Sequence, residues 1–127
     1  MKFLEVNNLD IEYQTRKETI YASKNVSFNL QRGEIIGIVG ESGSGKSTVA
    51  NAIINLIDKP GIITNGSIKL DGGELHNDTD IIKNIRGKKI GFIFQDPQTS
   101  LNPLFKIRDQ LIETIQTHSD LNFKEAE

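Results

Sequence analysis

The 127-residue sequence contains no cysteine. That excludes disulfides, thiolate chemistry and cysteine-ligated zinc together, and it fits a reducing compartment. No run approaches the roughly 18 consecutive apolar residues of a membrane span, so a membrane connection would have to come through a partner. Met1-Lys2-Phe3-Leu4-Glu5 has no apolar run behind its lysine, which argues against a secretory signal. Internal repeats and low-complexity segments are absent as well. A net charge of −2 speaks against a nucleic-acid partner, whose binding modules are usually basic. With 36% hydrophobic and 25% charged residues, the composition is that of one small globular domain with its own core.

Periodicity supplies the elements. Leu9, Ile11 and Tyr13 alternate with polar residues and predict a half-buried strand. Gln14 to Thr19 reads as a loop. Val26, Phe28 and Leu30 predict a second strand ended by Arg32-Gly33, and the two suggest an antiparallel pair with one wet face. Ile35-Ile36-Gly37-Ile38-Val39 is a near-continuous apolar run, as expected for a strand buried on both faces of a parallel sheet. Val49, Ile53 and Leu56 recur at helical spacing, with Pro60-Gly61 as the stop. Ser67 to Leu70 reads as a strand running into the turn Asp71-Gly72-Gly73. Ile81, Ile82 and Ile85 predict a short helix stopped near Gly87, and Ile90 to Phe94 a second buried strand. Ile107, Leu111 and Ile115 mark a later helix. Asn122 to Glu127 reads as the beginning of another. The lysine-rich stretch Lys83 to Lys89 reads as a solvated helix end and turn.

One segment carries chemistry. Gly40-Glu41-Ser42-Gly43-Ser44-Gly45-Lys46-Ser47-Thr48 matches G-x-x-x-x-G-K-[ST]. Its glycines permit backbone conformations that side chains forbid and let amides approach an anion. Successive N–H groups form a nest for phosphate oxygens, and the following helix adds its positive end. Lys46 can reach the β- and γ-phosphates, and the Ser47 hydroxyl suits magnesium. The bland alternative is a glycine-rich turn, but the pattern sits where it must, between an apolar run and a helix. A dinucleotide fingerprint fits worse, because Thr48 occupies its third glycine position.

With that loop in place, the sequence resembles the ATP-binding cassette (ABC) proteins, and more narrowly the ATPase subunits of oligopeptide, dipeptide and nickel importers. Val39 to Ser47 looks like their P-loop. Phe94-Gln95-Asp96-Pro97-Gln98-Thr99-Ser100-Leu101-Asn102-Pro103 looks like their extended Q-loop. The resemblance covers essentially the whole chain and implies an α/β fold of the P-loop NTPase class: an N-terminal antiparallel β subdomain plus an incomplete parallel core. Residues 1–34 and 62–75 would form the antiparallel region, 35–61 and 76–95 the P-loop core, and 96–127 the start of a helical subdomain.

The resemblance also implies roles. ATP and Mg2+ are the expected cofactors. Residues Gly40 to Thr48 would hold the nucleotide, Tyr13 would stack on adenine, and Tyr21 is a weaker candidate for that role. Lys46 and Gln95 would be catalytic, and Ser47 and Gln95 would hold the metal. Transmembrane permease subunits and a second ATPase subunit would be partners, at the cytoplasmic face of the membrane. The expected signature loop, the acidic pair after the next buried strand and the switch histidine do not occur in these 127 residues; His76 and His118 do not match its position. The complete protein would therefore be an ATPase and this chain a part of it with negligible hydrolysis. Its two apolar runs would present uncovered faces and unpaired edges, favouring self-association. The alternatives are a soluble ATPase of the same superfamily and a non-catalytic interaction module.

Overall fold

The computed structural model describes residues 2–75, 79–96 and 99–127. The expectation for His76, and the Pro97-Gln98 part of the second motif, lie outside them. The chain divides into two units, one running to Lys83 and the other Asn84–Glu127.

The first unit is built on a four-stranded antiparallel sheet in the order β2-β1-β3-β4. Strands β1 (Lys2–Gln14) and β2 (Thr19–Gln31) form a long hairpin. Its turn is closed by Thr15, whose backbone N–H and hydroxyl both donate to the Glu18 carbonyl, at 2.9 and 2.8 Å. β3 (Gly61–Leu70) pairs with the other side of β1, and the two-residue β4 (Gly73–Glu74) follows a tight turn.

β1 is far longer than Leu9 to Tyr13, and the reason is a phase change. Val6, Leu9 and Ile11 are all fully buried, so the spacing from the first to the second is three residues rather than two. Asn8, at φ 47°, absorbs the extra residue as a bulge. The neighbouring strands are irregular at the same level, with Asn25 at φ 54° and Gly66 at φ 95°. Asn8 Nδ2 donates to Asn25 Oδ1 at 2.6 Å. The Asp10 carboxylate accepts from the Asn25 backbone N–H at 2.5 Å and from Asn65 Nδ2 at 3.3 Å. A side chain at position 66 would lie 2.5 Å from the Asn7 carbonyl, so the crossing needs glycine for both space and conformation.

Helix α1 (Lys46–Ile53) buries Val49 and Ala52, and Ile54 just beyond it is also buried. It stops earlier than Pro60-Gly61 would require, because Asn55 takes a left-handed conformation (φ 52°). Leu56 is accordingly outside the helix and partly exposed.

The apolar runs behave differently from expectation. Neither 35–39 nor 90–94 forms a strand, and Ile35, Val39 and Ile93 are 96%, 92% and 93% exposed. Neither has a partner strand among the described residues, and a strand exists only through its ladder. Among the described residues, the trace of parallel pairing is one isolated bridge, Arg86 to Ile90.

Helix α2 (Thr79–Ile85) ends where Gly87 turns at φ 75°. In the second unit, α3 (Ile107–His118) buries Ile112, whereas the predicted stripe of Ile107, Leu111 and Ile115 is exposed. The final helix, α4 (Phe123–Ala126), begins at Asn122 with a capping box: Asn122 Oδ1 accepts from two backbone N–H groups and Glu125 accepts from the Asn122 N–H.

Candidate functional site

The site starts from the turn that feeds α1. Gly43 and Gly45 both adopt the left-handed region, at φ 80° and 86°. Gly45 is the N-cap of α1; no side chain caps the helix there and its first turn carries no acidic residue. The first-turn amides and the positive end of the helix are thus left for an anion. A side chain at Gly45 would run into the Ala22 carbonyl of β2, so the helix start is seated directly on the strand backbone. A Cβ on Gly40 would lie 2.6 Å from Ser44 Oγ and fill the hollow of the turn.

Lys46 closes that hollow. Its ammonium donates to the Gly40 carbonyl at 2.8 Å, the Glu41 carbonyl at 2.7 Å and Ser44 Oγ at 3.2 Å. Ser44 N–H donates to the Glu41 carbonyl at 3.2 Å, which tightens the same loop. Ser47 is exposed in the first turn of α1.

The hairpin completes the site. A cleft of about 280 Å3 is lined by Tyr13, Ile20, Tyr21 and Ala22 from β1 and β2, and by Gly43 to Thr48 from the turn and helix. Seven of the ten expected nucleotide residues, Tyr13 and Gly43 to Thr48, therefore line one concavity, whereas Gly40, Glu41 and Ser42 do not line it. A larger, mostly apolar cavity of about 750 Å3 lies along β2 beside Val26, Phe28 and Ile36 to Gly40. The smaller cleft is the chemically pertinent one, since Ser47, Thr48 and Tyr13 line it and not the larger space. Tyr21 lines both; it is exposed and has the Lys24 ammonium 5.5 Å from its ring centroid.

Gln95 belongs to the second unit, exposed at a bend just after the edge-to-face pair Phe92 and Phe94, whose centroids are 4.9 Å apart. The Thr99 and Ser100 hydroxyls donate to the Asp96 carbonyl at 3.0 and 3.4 Å. Gln110, which carries no motif, ties the loop to α3. Its Nε2 donates to the Asn102 and Phe105 carbonyls, both at 3.0 Å, and its Oε1 accepts from the Asn102 N–H at 2.8 Å.

A family model described as ABC transporter matches residues 23–126. The chain belongs to the ABC transporter family.

Among its ABC transporter relatives, the oligopeptide transport ATP-binding protein OppD of Bacillus subtilis is 43% identical over 127 residues, covering 98% of this chain and 35% of the relative. AppD of the same organism, also an oligopeptide transport ATP-binding protein, is 44% identical over 126 residues, covering 97% and 38%. The glutathione import ATP-binding protein GsiA of Escherichia coli O157:H7 is 39% identical over 134 residues, covering 97% and 21%. The chain thus spans little more than a third of the two oligopeptide relatives. A solved ATP-binding cassette, dimeric and in a post-hydrolysis state with ADP and Pi bound, superposes with a TM-score of 0.81 at 35% identity. It is covered over 52% of its length and covers 97% of this chain. No helix among the described residues of this ABC transporter chain is long and apolar enough to cross a membrane.

Proposed function

We propose that this chain is the nucleotide-binding part of an ATP-hydrolysing subunit that energises an ABC importer of peptides, with nickel or metal chelates as the alternative cargo suggested by the Gln95–Pro103 stretch. The observation that carries the reading is the cleft that joins Tyr13 to Gly43–Thr48. Its aromatic end suits a flat base and its amide-rich end suits a polyphosphate. The names of the oligopeptide and glutathione relatives support the cargo class.

In this reading the amides of residues 40–48 and the Lys46 ammonium hold the phosphates, and Tyr13 stacks on the base. Magnesium, when bound, supplies charge neutralisation at the phosphates. The described residues contain no cluster of three or more histidine, cysteine or acidic side chains that would hold it. The Ser47 hydroxyl, together with phosphate oxygens, fits an ion that prefers oxygen and keeps several waters. The cleft lining includes no carboxylate to orient an attacking water. In the whole protein a second ATPase subunit and transmembrane permease subunits would complete the machine at the cytoplasmic membrane face.

Calorimetric titration with MgATP tests the binding step: saturable uptake that is lost or weakened at least tenfold in Lys46→Ala supports it. Unchanged uptake in that variant would overturn it. Co-purification of the whole protein with a membrane permease separates a transporter from a soluble ATPase.

A further inference from the structure

Tyr13 is not placed in the cleft by β1 alone. In the β1–β3 ladder it lies opposite Gly61, the first residue of β3. A Cβ built on Gly61 would be 2.8 Å from Tyr13 Cε1, 2.5 Å from Ile57 Cγ2 and 2.8 Å from the Asp58 carbonyl oxygen. That carbonyl is itself tied down, because it accepts from the Gly61 N–H at 2.8 Å. Gly43, Gly45 and Gly66 sit at positive φ, but Gly61 does not. What it supplies is room, which the edge of the Tyr13 ring shares with the Ile57 methyl group and the Asp58 carbonyl.

We propose that Gly61 is a positioning residue for the base-stacking ring of Tyr13, so that it governs how tightly the site holds the base of a nucleotide but not its polyphosphate. The proposal rests on the assignment of Tyr13 as the base platform. Any side chain at position 61 must displace something. The hydrogen-bonded Asp58 carbonyl is stiff and the β-branched Ile57 has little rotamer freedom, whereas an aromatic ring at the end of a side chain can swing. The three atoms nearest a Cβ at 61 belong to Ile57, Asp58 and Tyr13, and none to the phosphate-binding residues Gly43 to Thr48. The two halves of the ligand should therefore respond separately.

The test is calorimetric titration of the chain and of Gly61→Ala with MgATP and with magnesium tripolyphosphate. About tenfold weaker ATP binding is expected, the scale of one lost base–aromatic stack, with tripolyphosphate affinity unchanged within about twofold. In a Tyr13→Ala background, Gly61→Ala should cost nothing further. Equal weakening of both ligands, or an ATP loss that persists without the Tyr13 ring, overturns the proposal. Fluorotyrosine NMR adds a direct readout, since there are only two tyrosines and Tyr21→Phe assigns the signal. A Tyr13 resonance unmoved by Gly61→Ala also overturns it. If Gly61→Ala does not fold, the double variant decides: its folding supports the ring clash, and its failure assigns Gly61 to the turn instead. A parent chain that binds ATP no better than tripolyphosphate, unaffected by Tyr13→Ala, removes the Tyr13 assignment itself.

Discussion

Ile11 and Ile35 are the same residue in two apolar stretches of one chain, yet the first is fully buried and the second is 96% exposed. Ile11 lies on the central strand of a sheet whose neighbours come from the same 74 or so residues, with hydrogen bonds on both sides. The run 35–39 has no such neighbour among the described residues. Apolar content alone therefore does not bury a segment. A hairpin carries its own partner, whereas a strand of parallel type depends on chain far away in sequence. The anion loop sits at the border between the two conditions, seated on the finished sheet at Ala22 and fed by the unfinished run.

This contrast can be broken by stability measurements. Ile11→Ala should cost the most, about 2–5 kcal/mol in denaturant unfolding, because it opens a cavity in the finished part. Gly66→Ala should follow at about 1–3 kcal/mol, since the new Cβ meets the Asn7 carbonyl in a backbone region that disfavours side chains. Asp10→Ala should cost about 1–3 kcal/mol, leaving the Asn25 N–H without its acceptor and the Asn65 amide with only the Asn8 carbonyl at 3.4 Å. Smallest of all, Ile35→Ser should stay within about 0.5 kcal/mol, as for an ordinary surface site. An Ile35→Ser penalty equal to that of Ile11→Ala would mean that the run is covered, and the contrast would fail. Amide hydrogen exchange sharpens the same point: residues 35–39 should exchange far faster than β1.

The elements legible in the sequence were those fixed locally. The glycines and lysine of residues 40–48 announced the turn, and the alternation of Leu9, Ile11 and Tyr13 announced the central strand. The Asn7-Asn8 pair interrupts that alternation, so the first half of β1 was hidden until the matching irregularities at Asn25 and Gly66 were seen to share its level. Helical spacing alone makes α1 too long, because Asn55, an unobtrusive residue, ends it before the proline. In α3 the stripe of Ile107, Leu111 and Ile115 looked like a core face but is exposed, and Ile112 is buried instead. Gln110 carries no pattern at all, and Gly61 reads only as part of a helix stop. Their importance lies in what their atoms, or the lack of them, meet in space. At the cleft, Tyr13 and Gly43–Thr48 were nameable one by one, but their shared concavity, with Ile20 and Ala22 between them, depends on β2 folding back.

The contacts of Lys46 with its own loop change the meaning of ligand affinity here. Its ammonium already spends its three protons on two carbonyls and a hydroxyl of its own loop. A phosphate arriving at this turn must compete for a cation that is engaged rather than idle. Uptake is therefore a trade of one set of oxygens for another, and its strength measures the margin between the two sets.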